Sequence, residues 1–256
     1  MLIDTHCHLN DPAFAKTIPD VIGRANDAGV HWFIVPAYDV ESLDRTADLA
    51  SSHPGVIFPA LGIHPWHVDR EINYGEIISF IRKHHPAAIG EIGLDFSPEC
   101  PPPQIQVQSL IRQLEWAEEL DLPVTFHCRR AYDVLYHILL ERGGKIRGAM
   151  HSFSGSKEMM FQLIDLGFYI AFSGSVTRET ARKYHKNAKT APVDRILLET
   201  DAPSIATETT LAEEVEPRHI VEVARKVAEI RGSSLEEVCE RSTENARRLF
   251  GLPGLL

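Results

Sequence analysis

Short apolar runs rich in β-branched and aromatic residues alternate along this chain with longer stretches in which apolar positions recur every three to four residues. The runs fall at residues 2–5, 32–36, 57–63, 88–94, 123–127, 148–151, 168–172 and 195–200, each short enough for a strand buried on both faces. Between them, the spacing predicts helices over 19–28, 40–50, 74–83, 104–120, 131–141, 157–166 and 177–188. In the fourth of these, Ile105, Leu110, Ile111, Leu114, Ala117 and Leu120 recur at helical intervals and make one apolar face. Two more helices follow the last strand, over 217–230 and 235–249. Ser233 or Ser234 is placed to cap the second, with Glu236 and Glu237 in its first turn, where the helix dipole favours negative charge. Eight strand–helix units predict a (β/α)₈ TIM barrel with closing C-terminal helices, and a doubly wound open sheet is the runner-up. No repeat, low-complexity tract or linker interrupts residues 1–256, so one domain is expected.

Composition narrows the classes of function. The 256 residues, 44% of them apolar, suffice for one large core. A formal net charge of -10 argues against gripping nucleic acid through a broad basic surface. A nucleic-acid substrate would then need local positive charge, which bound divalent cations supply. Cys7, Cys100, Cys128 and Cys239 have no CxxC spacing, so reduced thiols and a cytoplasmic location are expected. No export leader and no apolar run of about 18 residues is present, so a membrane span is not expected.

The chemistry sits at the predicted strand ends. His6 and His8, two apart, face the same side of an extended segment while Cys7 faces away. Glu91 lies inside the apolar, glycine-rich run Ala88 to Leu94, which holds no lysine or arginine to pair it. His127 and His151 end the fifth and sixth runs, and Asp201 follows the eighth, just before Ala202-Pro203 breaks it. Imidazoles and carboxylates converging from distant strands suit a divalent cation, because no local finger could gather them. Asp95 and Glu199 are expected to orient the ligands. His64 after the third strand is a candidate for substrate binding and catalysis, and Arg129 for clamping phosphate. The remaining histidines, His67 among them, are expected to be structural or exposed.

The segments Asp4-Thr5-His6-Cys7-His8-Leu9, Gly62-Ile63-His64-Pro65, Gly90-Glu91-Ile92-Gly93-Leu94-Asp95, His127-Cys128-Arg129, His151-Ser152-Phe153-Ser154-Gly155 and Glu199-Thr200-Asp201-Ala202-Pro203 closely resemble the TatD family of metal-dependent deoxyribonucleases. The likeness covers nearly the whole chain. It implies an amidohydrolase-like TIM-barrel hydrolase with two divalent cations (Mg, Mn or Zn). By residue, it implies that His6, His8, Glu91 and Asp201 hold one ion, and that Glu91, His127 and His151 hold the other. Glu214-Val215-Glu216-Pro217 stands where many members carry an arginine at the first position, which would weaken the grip on a polyanion. The expected reaction is hydrolysis of phosphodiester bonds, with single-stranded DNA as substrate and no obligate protein partner. Water attacks, Asp201 and Glu91 serve catalysis, and His64 and Arg129 position the phosphate. The alternative is a metal-dependent amidohydrolase acting on a small amide or ester, and a third reading is a non-catalytic, metal-stabilised interaction protein.

Overall fold

A computed structural model of the chain describes residues 1–252. Eight parallel strands occur in chain order: β1 (Leu2–Asp4), β2 (Val30–Pro36), β3 (Ile57–Leu61), β4 (Ala88–Asp95), β5 (Val124–Arg129), β6 (Gly148–Met150), β7 (Tyr169–Phe172) and β8 (Ile196–Leu198). Helices return the chain between them: α1 (Ile18–Asp27), α2 (Val40–Ser52), α3 (Tyr74–His84), α4 (Pro103–Leu120), α5 (Tyr132–Glu141), α6 (Lys157–Asp165) and α7 (Arg182–Thr190). After β8 come α8 (Ile220–Arg231) and α9 (Leu235–Phe250). This is the expected TIM barrel, and the open-sheet alternative is set aside by how the first and last strands meet.

That meeting is made by backbone and side-chain hydrogen bonds together. Thr5 N–H donates to Leu198 O at 3.2 Å and Asp201 N–H to His6 O at 2.8 Å. Between them the Asp4 carboxyl accepts from Thr200 N–H at 3.0 Å and meets Thr200 Oγ1 at 2.6 Å. These bonds take the place of ladder pairs, which is why β1 and β8 stop at Asp4 and Leu198, short of the predicted 2–5 and 195–200. Burial pushes the Asp4 carboxyl up to about 8, against the lowering effect of its bonds from Thr200 and His6.

Alternation along the strands sorts the core into two layers. Leu2, Phe33, Val35, Ile89, Ile196 and Leu198 point outward to the helices, whereas Ile3, Ile34, Ala60, Ala149, Ala171 and Leu197 fill the barrel. Ala246, Leu249 and Phe250 of α9 join the inner layer. Asn245 Nδ2 ties α9 to Val193 O and Ile196 O, and Thr243 Oγ1 ties it to Met1 O, so α9 seals the N-terminal end of the strands. Each of those large apolar side chains contributes about 1.5–3 kcal/mol by leaving water. Ser234 is the cap of α9, accepting from Glu237 N–H. With one end plugged, ligands reach the barrel from the other, where the loops after the strands gather. Helix α7 begins later than the predicted 177, because Gly174–Thr177 instead forms a 3₁₀ turn.

Candidate metal centre

The loop end of the barrel opens on a cavity of about 300 Å³, with Tyr38, Trp66 and His67 at its mouth and His8, Glu91 and Asp201 deeper in. Wider surface grooves beside α2, α3 and α4 contain no histidine. His6 and His8 lie in the loop after β1. Cys7 between them is fully buried and faces the opposite way, its Sγ 3.9 Å from Ile34 O. Every residue of β4 is buried, and Glu91 presents its carboxylate from the middle of that strand. Asp201 adopts a left-handed backbone (φ 57°), tolerable for aspartate, which turns its side chain back toward the histidines.

Four donors face one another. His6 Nε2 and His8 Nε2 are 3.3 Å apart. Glu91 Oε2 lies 3.1 and 3.8 Å from these two nitrogens, and Asp201 Oδ1 lies 3.7 and 3.3 Å from them. Ligands held roughly 2.0–2.1 Å from a zinc-sized ion at tetrahedral angles stand about 3.3 Å apart. The set therefore fits a divalent cation. The other Glu91 oxygen faces a second group: Oε1 lies 3.1 Å from His127 Nδ1, 3.5 Å from His64 Nε2 and 3.8 Å from His151 Nε2. One buried carboxylate thus serves two adjoining donor sets.

Partners behind the donors fix their orientation. His127 Nε2 lies 3.1 Å from Asp95 Oδ2, and that oxygen also accepts the Trp66 indole N–H at 2.7 Å. His151 Nδ1 lies 2.8 Å from Glu199 Oε1, which accepts Ser152 N–H as well. His151 stacks on His6 with ring centroids 3.6 Å apart.

Glu91, Asp95, Glu199 and Asp201 are each at most 7% exposed. Among the described residues, their ion-pair partners are imidazoles, with no lysine or arginine. Buried carboxylates cost several kcal/mol each unless cationic charge offsets them, so this donor set suits bound cations. The mutual influence is strong. Burial would raise Glu91, yet the imidazoles of His6, His64 and His151 and the contact with His127 hold it well below the usual carboxylate range. Burial would lower His151, yet Glu199, Asp201 and Glu91 push it up to about 10. For His64 burial prevails and takes it down to about 4.

His6, His8, Glu91, His127, His151 and Asp201 converge as their positions at strand ends suggested. Two further histidines stand at the site. His64, expected to touch substrate, stands 3.5 Å from Glu91 Oε1 and within donor distance of His127, beside the second set. His67, expected to be structural or surface, lies at the mouth of the cavity. Arg129 ends β5 as an exposed residue outside the cavity lining. Glu214 is also exposed and outside it, while Glu216 beside it is bound by Arg24 at 2.7 and 2.9 Å. Tyr38 and Trp66 line the cavity beside these residues without a ligand-type side chain to mark them in the sequence. The available signal was the aromatic Trp66 two positions after His64, on a loop that follows a strand.

Known proteins resemble this chain along nearly its whole length. A hydrolase of Bacillus subtilis, YabD, described as an uncharacterized metal-dependent hydrolase, is 34% identical over 98% of this chain and 99% of its own length. Human deoxyribonuclease TATDN3 is 31% identical over 97% of this chain and 94% of its own. The crystal structure of the TatD homologue YjjV from Escherichia coli superposes with a TM-score of 0.88 at 30% identity, covering 98% of each chain. An organophosphorus hydrolase from Deinococcus radiodurans, at 13% identity and a TM-score of 0.68, shares the fold alone. The family profile described as TatD related DNase matches residues 3–251, and on that span the chain belongs to this family of metal-dependent hydrolases.

Proposed function

We propose that the chain hydrolyses phosphodiester bonds, with single-stranded DNA as substrate and two divalent cations in the centre. The observation that carries this reading is the division of Glu91, whose Oε2 faces His6 and His8 while Oε1 faces His127, His64 and His151. His6, His8, Glu91 and Asp201 form one ligand set, and Glu91, His127 and His151 the other, with His64 beside it. Its nitrogen content favours Zn²⁺ or Mn²⁺ over Mg²⁺. When bound, such ions make water more acidic and offset phosphoryl charge. Asp201 Oδ2, 3.6 Å from His151 Nε2, takes up the proton released as water attacks. Asp95 and Glu199 hold His127 and His151 in place, so the donors need little rearrangement. His64 orients the phosphate at the floor of the cavity, and Arg129, exposed at the end of β5, meets the backbone of a longer substrate. Among the described residues, no helix is long and apolar enough to cross a membrane.

The test is cleavage of end-labelled single-stranded DNA by protein loaded with Mn²⁺, with and without chelator, and by His127→Ala. Chelation is expected to stop cleavage. The substitution should slow it by more than the roughly 10–100-fold typical of losing a partner behind a ligand. Cleavage indifferent to both, or hydrolysis of amides in place of diesters, overturns the reading.

Metal uptake should also depend on pH. Because His151 is pushed up to about 10, the metal-free protein carries a proton there at neutral pH that a cation must displace. Affinity is therefore expected to fall as pH falls, with protons released on loading. Titrating Zn²⁺ or Mn²⁺ into weakly buffered protein at about pH 6 and about pH 8 measures both. Equal affinity and no proton release would count against His151 as a ligand.

A further inference from the structure

We infer that Trp66 is a stacking platform for a nucleobase of the substrate, so that the site recognises the base beside the scissile phosphate and not the phosphate alone. The inference rests on the phosphodiester reading above and adds which part of the substrate is recognised. Trp66 is 51% exposed, unusual for an indole. It is nevertheless tethered, its Nε1–H donating at 2.7 Å to Asp95, a carboxylate with no exposure at all. His64 and His127 stand edge-on to it, with ring centroids at 5.0 and 6.0 Å and interplanar angles of 86° and 69°. A ring fixed on one edge and open to solvent over half its surface is already ordered, so stacking a second flat ring on it costs little entropy.

The surroundings argue for a base over a polyanion. Among the described residues, neither lysine nor arginine lines the cavity, and the whole chain carries a formal charge of -10. Beyond the proposed cations and Arg129, few backbone phosphates can be neutralised, which leaves stacking as the main source of affinity. About 300 Å³ is at the lower end for a small-molecule site and suits a terminal nucleotide better than a duplex. The tether also couples the two halves of recognition. The Asp95 oxygen that holds the indole lies 3.1 Å from His127 Nε2, so the platform is set relative to the donors that would hold the cations facing the phosphate.

The experiment compares a thymidine trinucleotide with the same molecule bearing an abasic unit beside the scissile bond, using Mn²⁺-loaded wild type, Trp66→Phe and Trp66→Leu. Stacking is worth about 1–3 kcal/mol per base, so wild-type KM should be about 5- to 140-fold lower for the base-bearing substrate. Trp66→Leu should erase that advantage by raising KM for the base-bearing substrate alone. Trp66→Phe, which loses the same bond to Asp95 but keeps an aromatic face, should retain most of it. Equal wild-type KM values overturn the inference. So does a Trp66→Leu effect that is the same on both substrates, which would mean that Trp66 only supports Asp95 and His127. Failure of the wild type to cleave either substrate, or bis(4-nitrophenyl) phosphate, overturns the phosphodiester reading itself. Should Trp66→Leu not fold, thymidine monophosphate titrated into wild type and Trp66→Phe decides. Tryptophan quenching lost in Trp66→Phe supports the platform, and equal quenching in both rejects it.

Discussion

Replacing Glu91 with alanine is expected to lower diester hydrolysis by well over the roughly 100-fold that loss of a supporting partner costs, and to leave the protein unable to hold its full complement of cations. The reason is that its two oxygens serve different neighbours: Oε2 is 3.1 Å from His6 Nε2 and Oε1 is 3.1 Å from His127 Nδ1. Removing the side chain strips one donor from each set and also removes a carboxylate within 3.1–3.5 Å of the imidazoles of His6, His64 and His127. Breaking such buried pairs costs about 3–5 kcal/mol, so the metal-free variant should melt earlier than metal-free wild type. Glu91→Gln is the sharper probe. It keeps the volume and one acceptor oxygen but puts an amide nitrogen where the second oxygen was, so bound metal per chain should fall from two ions toward one, measured by elemental analysis after dialysis. Retention of both ions and of turnover in Glu91→Gln would contradict a bridging carboxylate.

Gly93→Ala should disrupt the fold itself. An added Cβ would lie 1.9 Å from His127 O and 2.8 Å from His127 C, which are backbone atoms that no side-chain rotation can move. Gly93 also has φ 151°, a conformation that residues bearing a Cβ rarely adopt. The two residues are register partners in the β4–β5 ladder, so relief requires the strands to part beside a ligand. We expect a loss of about 3 kcal/mol or more, a drop of roughly 6–12 °C in Tm, and impaired metal binding. Gly23 in α1 provides the contrast: it has open space around its Cβ position and no unusual φ. Gly23→Ala should therefore be neutral or stabilise by about 0.5–1 kcal/mol. A Gly93→Ala protein that melts with the wild type would mean that β4 and β5 do not approach so closely.

Much of the architecture was legible because local chemistry is periodic. Helix α2 starts where Asp39 and Ser42 form a reciprocal cap, and α9 starts at Ser234, both signals that need only a few neighbouring residues. Strand ends were readable to within a few residues, and His6, His127 and His151 could be assigned to one rim because successive parallel strands deliver their ends to the same side. Periodicity gives the face of a residue but not its direction around the barrel. That His64 turns onto Glu91, that the Trp66 indole reaches Asp95, and that His67 joins the mouth depend on how loops of irregular backbone pack.

The sequence by itself determined the alternation of strands and helices, the cap of the last helix, and which candidate ligand side chains stand at strand ends, since these follow from propensity and spacing over a few residues. Tertiary structure alone decided how those side chains divide between the two oxygens of Glu91, how Asp4 and Thr200, 196 residues apart, join the first strand to the last, and how α9 plugs the opposite end. Those outcomes rest on distances between residues remote in the chain, and only the closing of the barrel fixes such distances.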